Sequence, residues 1–355
     1  MYTLLDKDFT SLNAVDEYDS AIWAERHREY GDFELYGRPE KLLAQGVTTG
    51  RYLTKQGSDR VMFIQSININ EETDEGVFVT ATGKSLESML TRRVVWPPIN
   101  LNGTIAQCVR TLLESTFISP DDVKRRVPGF LMRDPTDTYL TKTEMSAQFA
   151  GETVYDAITA ICEVYDLGFK IVLTNGTMEF ILYRGEDRSF QQTTNPYVIF
   201  SPDFDNLASA SYSHSVESLA TFTYVSGEER EDSTRITTEV DLGLTGLDRI
   251  ELFVDASDIR ATDSDGNAIS DEEYAGYLEE RGFETLAENT ATEFFEGSMD
   301  TRGTYIYGRD FFLGDTVQIQ NDLGISASSQ VLEIVYTKDS TGESIVPTFS
   351  TPTMT

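Results

Sequence analysis

Residues 60–70 read RVMFIQSININ, and residues 76–83 read GVFVTATG. Ile67 and Ile69 alternate with Asn68 and Asn70, the period-two pattern of a strand with one buried face. The five residues between the two runs, EETDE, are acidic and turn-like. Together they read as an antiparallel hairpin, which sets a β-rich course for the chain. Just upstream, residues 20–36 (SAIWAERHREYGDFELY) allow two readings. One is strand–turn–strand, broken at Gly31 and Asp32. The other is a helix from Ser20 to Arg28, because Ala, Glu and Arg favour helix. Residues 85–90 read as a short helix with Ser85 as N-cap.

Trp96-Pro97-Pro98 interrupts any regular element, so a domain boundary is expected there. A helix is expected from Thr104 to about Phe117, with Thr104 and Gln107 at capping-box spacing and Ile105, Val109, Leu112 and Leu113 on one face. Residues 120–150 read as polar and irregular. A second helix is expected from Thr153 to Tyr165, stopped by Gly168. Asn175-Gly176 then joins two β-rich runs, 169–173 and 178–183, as a hairpin. Residues 96–190 thus read as a small α+β unit of two helices and a hairpin.

Strand patterns return at 219–225, 235–240 and 249–254. Residues 258–300 read as acidic and helical. Strands resume at 305–307, 316–320, 330–336 and 345–349. The expected organisation is a β domain over 1–95, the α+β unit over 96–190, and a second β domain over 191–255 and 301–350. A helical acidic insertion over 256–300 interrupts the latter, and 351–355 is a polar tail. Two β domains flanking helical units point to a structural duplication.

The chain has 355 residues, 60 acidic and 28 basic, for a formal charge of −32. Residues 1–200 hold 29 acids and 20 bases, and residues 201–355 hold 31 and 8. A field this negative repels phosphate backbones, so stable binding of nucleic acid is not expected. There is no apolar run of membrane-spanning length and no apolar leader at residues 1–9, so no membrane anchor is expected, and synthesis and folding in a cytoplasm are.

Tests for chemistry return little. Two cysteines, Cys108 and Cys162, fall on apolar helical positions and read as buried, inert thiols. His27 and His214 lack ligand spacing, and His214 sits between serines that would point to the other face of a strand. Glycine-rich phosphate loops and nucleophile elbows are absent. Sixty acids make chance carboxyl pairs inevitable, so acidity is no sign of a glycosidase. The best metal candidate is a calcium-loop-like run in which Asp263, Asp265 and Glu272 take positions three, five and twelve. Ala261 stands where the first loop aspartate belongs. A tight Asp-Gly turn before a helix capped at Ser270 accounts for the same residues. No catalytic residue, cofactor or other metal site is expected. Lys124-Arg125-Arg126 is the one basic run and reads as a solvated face. The surroundings of Trp96 and of Phe311-Phe312 are candidate contact patches, with core packing the default for such aromatics.

Five ordered segments carry a family resemblance: residues 2–35 (YTLLDKDFTSL…VDEYDSAIWAERHREYGDFEL), 79–95 (VTATGKSLESMLTRRVV), 185–212 (GEDRSFQQ…NPYVIFSPDFDNLASASY), 247–259 (LDRIELFVDASDI) and 307–327 (YGRDFFLGDTVQIQNDLGISA). The chain resembles the ReqiPepy-type tail proteins of siphoviruses, long-tailed phages of Gram-positive bacteria. The resemblance implies a tail-tip or baseplate hub, distantly similar to the hub of T-even phage baseplates. It implies a mixed α+β, β-rich fold with two tube-like β-barrel domains per subunit. It further implies a homotrimer that presents a pseudo-sixfold ring to the hexameric tail tube and lets DNA pass. Tail tube, distal tail, tape measure and tip or fibre proteins are its implied partners, and the virion tail tip its implied location. The alternatives are a tail-associated cell-wall or polysaccharide hydrolase and a receptor-binding module. The latter would gather the 17 tyrosines on one exposed face. The β pattern ends near Phe349, so a built-in peptidase or lysozyme-like domain is not expected.

Overall fold

The computed structural model describes residues 1–72, 76–204, 206, 209–230, 233–262, 267–298, 305–320 and 326–350. By contacts the chain forms two units. The first takes in Met1–Ser88, Gly168–Ser213 and residues 293–350; the second takes in Met89–Leu167 and His214–Thr292.

The first unit is built on the hairpin that opens the sequence argument. Val61–Glu72 pairs antiparallel with Gly76–Ser85, with a register shift between Ile64 and Ser66. Residues 20–36 take the strand–turn–strand alternative, as Ser20–Arg26 and Asp32–Gly37. Helix propensity lost because Trp23, Ala21, Phe33 and Leu35 all enter one core, which only a pleated pair can arrange. Ser85 does not cap the short 3-10 helix Leu86–Arg92; its hydroxyl accepts the Gly31 N–H at 2.8 Å instead.

A single sheet path runs through this unit. It goes from Ser209–Ser215 through Thr292–Ser298, Gly342–Ser350 and Ser326–Asp339, then crosses to Ser20–Arg26 and on to Ser11–Val15 at the far end. The crossing is an antiparallel pairing of Ser326–Asp339 with Ser20–Arg26, in which Tyr336 faces Trp23. Among the described residues the path is open, with no closed sheet. Two separate cores lie along it. One gathers Tyr2, Leu4, Trp23, Phe33, Met62 and Val79 from the N-terminal strands. The other gathers Phe200, Phe311, Val317, Val331, Ile334 and Phe349 from the C-terminal ones.

Hairpin Gly168–Thr174 and Thr177–Tyr183 forms as expected, and Asn175 and Gly176 both have positive φ (51° and 80°), the two-residue turn their sequence favours. It belongs to the first unit rather than to the helices beside it in sequence. Gly168 shows why. It does not stop the preceding helix; Asp166, with φ 52°, makes that turn. A Cβ on Gly168 would stand 2.2 Å from His27 Nδ1, so glycine is needed for this close approach.

The second unit is helical with a small sheet. Ile105–Leu113 and Val154–Val164 both start in capping boxes, at Thr104 with Gln107 and at Thr153 with Asp156. Replacing Thr153 with Ala should therefore lower stability by about 1 kcal/mol. Equilibrium urea unfolding would show it, and an unchanged midpoint would mean the box contributes nothing. Residues 120–150 are more regular than their composition indicates. Glu144–Phe149 pairs antiparallel with Ile99–Thr104, although its sequence, EMSAQF, has no β-branched residue. Backbone pairing, not intrinsic preference, makes it a strand.

Phe222–Glu229 is the centre of a three-stranded sheet, antiparallel to Arg235–Asp241 and parallel to Glu251–Asp255. Helix Asp271–Glu288 lies on one face of it. Gly282 sits against Val240, Thr223 and Val225, while Gly227 sits against Tyr274. So these strands pack with the acidic helix in one unit instead of with the C-terminal strands. Their inner face needed an apolar cover, and Tyr274, Tyr277 and Leu278 supply it. Helix also ends sooner than composition indicates, since Thr292–Ser298 is a strand paired with Gly342–Ser350. Among the described residues no helix is long and apolar enough to cross a membrane.

Candidate functional site

A buried ionic seam lies in the first unit. Arg60 is 4% exposed and Glu87 is fully buried. The Arg60 guanidinium donates to Glu87 Oε1, and through Nη2 to the Arg26 carbonyl at 3.2 Å. Glu87 Oε1 also accepts the Ile171 N–H at 2.8 Å. Glu25, equally buried, accepts from Trp23 Nε1 (3.0 Å), Ser58 Oγ (2.5 Å) and Tyr307 Oη (3.2 Å). His27 Nδ1 is 3.1 Å from Tyr183 Oη, and its main chain bonds both Leu332 and Phe169. Burial, then Arg28 and Arg60, hold His27 well below the ordinary imidazole range, so it is neutral near pH 7. The seam ties the N-terminal strands, the 168–183 hairpin and the C-terminal segment together. It is a clamp and has no open face for a substrate.

A surface cleft of about 470 Å³ in the same unit is lined by Tyr2, Tyr18, Lys55, Tyr336, Lys338 and Glu343, among others. Lys55 Nζ stands 3.3 Å from the Tyr336 ring centroid. Its one carboxylate, Glu343, bonds Lys338 at 2.8 Å, which holds it below the usual range. Two-carboxylate hydrolysis needs a second acid, and the cleft lining has none.

In the second unit, helix Asp271–Glu288 carries two carboxyls inward. Glu280 is 7% exposed; its Oε2 accepts the Tyr165 hydroxyl at 3.1 Å and its Oε1 has no partner. Burial, then the nearby Glu284, push Glu280 up to about 7. Glu284, 3.2 Å from Arg281 Nε, is pushed up to about 7 by burial, against the pull of that arginine. Arg281 also holds Asp258 at 2.9 Å.

On the outer face of this unit's sheet Phe222 is buried, while its neighbours stay exposed among the described residues. Tyr224 and Phe253, paired in register, are 40% and 70% exposed, and Arg249 lies 3.6 Å over the Phe222 ring. Elsewhere in the unit, Trp96, 62% exposed, forms a shallow cleft with Arg92, Arg93, Val94 and Arg125.

The residues singled out from sequence are scattered. Asp263 and Asp265 of the calcium-like run lie outside the described residues; Glu272 is an exposed residue in the first turn of helix Asp271–Glu288, whose N-cap is Ser270. Among the described residues no cluster of metal-ligating side chains occurs. Cys108 and Cys162 are buried, and burial, then Glu280, push Cys108 up to about 12. His214 is exposed on strand Ser209–Ser215. Phe311 enters the C-terminal core, whereas its neighbour Phe312 is 44% exposed. Lys124 and Arg126 face solvent, but Arg125 turns back onto the carbonyls of Val94 and Trp96. Among the tyrosines whose burial is described the exposed ones are Tyr197 and Tyr224, one in each unit. Sequence reasoning missed Glu25, Arg60, Glu87 and Glu280. Each looks like an ordinary surface charge along the chain. Only Glu280 carries a signal, its i,i+3 spacing from the core residue Tyr277.

Comparison with known proteins places this architecture. The sequence profile of the Siphovirus ReqiPepy6 Gp37-like protein family matches residues 1–349. No curated protein sequence matches the chain. Among solved structures it is similar to the 43 kDa tail protein of prophage MuSo2 from Shewanella oneidensis, at 12% identity and a TM-score of 0.57, covering 99% of this chain and 98% of that one. It is similar to the tail protein from Neisseria meningitidis MC58, at 12% identity and a TM-score of 0.57, covering 98% and 96%. It is also similar to prophage tail protein gp18 from Listeria monocytogenes EGD-e, at 12% identity and a TM-score of 0.54, covering 98% and 94%. Identities this low carry the fold alone, and they carry it from end to end. With the family profile spanning nearly its whole length, the chain belongs to the Siphovirus ReqiPepy6 Gp37-like family.

Proposed function

We propose that this protein is a structural hub of a phage tail tip or baseplate, without enzymatic activity. Three copies form a ring that joins the hexameric tail tube to the distal tip or fibres and lets DNA pass. The observation that carries the reading is the end-to-end likeness to phage tail proteins, joined to two separate β cores on one sheet path within each chain. Two such halves per chain, three times over, match a sixfold partner. In this reading the N-terminal strands around Trp23 and the C-terminal strands around Phe349 are the two tube-like domains. The helical second unit holds the distal or outer contacts. Tail tube, distal tail, tape measure and tip or fibre proteins are the partners, and the virion tail tip is the location.

The charge of −32 fits passage of DNA without capture, since like charges repel at short range. The decisive experiment is the native mass by size exclusion with light scattering over a concentration series, with stained images. A mass of three 39.8 kDa chains and ring-shaped particles are expected. A monomer at every concentration would overturn the preformed ring, and clearing on a cell-wall zymogram would overturn the non-enzymatic part.

A further inference from the structure

Two faces of the second unit have opposite charge and exposed aromatic centres. The first is the Trp96 cleft, about 400 Å³. Residues 92–96 and 121–126 together hold five basic and two acidic side chains, in a chain where acids outnumber bases twofold. Arg125 donates to the carbonyls of Val94 (2.6 Å) and Trp96 (2.9 Å), and Arg93 Nε to the carbonyl of Arg125 (3.3 Å). These bonds fix the guanidinium groups in place while leaving their charge unneutralised, so little ordering remains for a partner to impose. Trp96, Val94 and Val123 stand exposed among them at 62%, 47% and 74%.

The second is the outer sheet face. Strand alternation puts Tyr224, Phe253, Glu239, Asp241 and Glu251 on the side away from helix Asp271–Glu288, around a Phe222 that is itself buried. Glu229 and Asp255 extend the acidic rim. Arg235 and Arg249 are each already shared between two of these carboxylates. Above the rim Leu247 is 99% exposed and Leu242 53%. An aromatic sheet face with an aliphatic loop beside it is the kind of surface that a protein partner covers.

We propose that these two faces meet between copies: the arginine–tryptophan cleft of one subunit seats on the acidic aromatic face of the next. Each face repels its own kind, so the contact is heterologous, and a heterologous contact closes into a ring when its rotation allows. The apolar centres bury against each other while the charges set partner and register. The inference rests on the ring reading above and names one of its contacts.

The test uses charge reversal at exposed positions, in the full chain. K124E/R126E alters the cleft rim and E229K/E239K alters the sheet rim. Each double variant should weaken self-association at least about 10-fold in sedimentation equilibrium, with unchanged circular dichroism, since every 10-fold is a modest loss of a few charge contacts. The quadruple variant restores opposite signs and should recover association. W96A should weaken association without changing its salt dependence. If the wild type is a trimer and the double variants associate as tightly as it does, the ring stands and this contact is overturned. If the doubles dissociate and the quadruple does not recover, the two faces meet other surfaces and the pairing is overturned. A wild type that stays monomeric at every concentration overturns both the ring and the contact.

Discussion

Alanine at Arg60 is expected to destabilise the first unit by about 3–5 kcal/mol. Glu87 sits fully buried, and Arg60 supplies its counter-charge. Removing the guanidinium leaves a carboxylate in a low-dielectric interior with only the Ile171 N–H for support. The Arg26 carbonyl loses a donor as well. Replacing both partners, as R60M/E87L, should recover most of the loss, because the pair's own net contribution is small once its desolvation is counted. The chain offers a convenient probe. Its two tryptophans are Trp23 in the first unit and Trp96 in the second. In a W96F background, urea unfolding followed by Trp23 fluorescence reports the first unit. A loss below about 1 kcal/mol for R60A would show that the seam does not hold the unit together.

The second large effect is a pH dependence in the second unit. Glu280 and Glu284 titrate near 7 in the folded chain, against an ordinary 4.5. Between these values the native state binds more protons than the unfolded one. Stability therefore falls as pH rises from about 4.5 through 7, and the penalty is complete above that. At about 1.4 kcal/mol per unit, one group accounts for about 3 kcal/mol at most, and the two are coupled, so their effects do not add in full. Gln at position 280 keeps the Tyr165 hydroxyl bonded and abolishes the charge. E280Q should stabilise the protein by about 2–3 kcal/mol at pH 8 and change little at pH 5. Urea unfolding by far-ultraviolet circular dichroism at the two values reads this directly. Equal effects at both would mean that Glu280 is not the group that titrates.

The resemblance segments at 2–35, 79–95, 185–212, 247–259 and 307–327 point to the family that the profile match over residues 1–349 shows. Individual elements were equally open to sequence reading where the signal is local. The hairpin around Asn175-Gly176 follows from two residues that accept positive φ. The helices after Thr104 and Thr153 follow from capping boxes and an apolar face. Residues 20–36 were balanced between helix and strand because propensity and pattern disagreed, and packing around Trp23 decided.

Strand grouping was another matter. From sequence the strands within 219–254 group with the C-terminal strands because both are β, yet they pack under helix Asp271–Glu288. Glu144–Phe149 reads as irregular from sequence because only its last residue favours a strand, and pairing with Ile99–Thr104 supplies the rest.

The sequence by itself determined the Asn175-Gly176 turn, the helices capped at Thr104 and Thr153, the β-rich class, the acidic charge and the family. All of these are written in residues a few positions apart, or in sums over the chain. The tertiary structure alone decided which sheet each strand joined and why Gly168 must be glycine. It alone decided that Glu25, Arg60, Glu87 and Glu280 are interior residues rather than surface charges. The reason is physical: hydrophobic period and turn chemistry act within one element, whereas burial of a charge depends on partners such as residues 60 and 87 or 165 and 280, which only folding brings together.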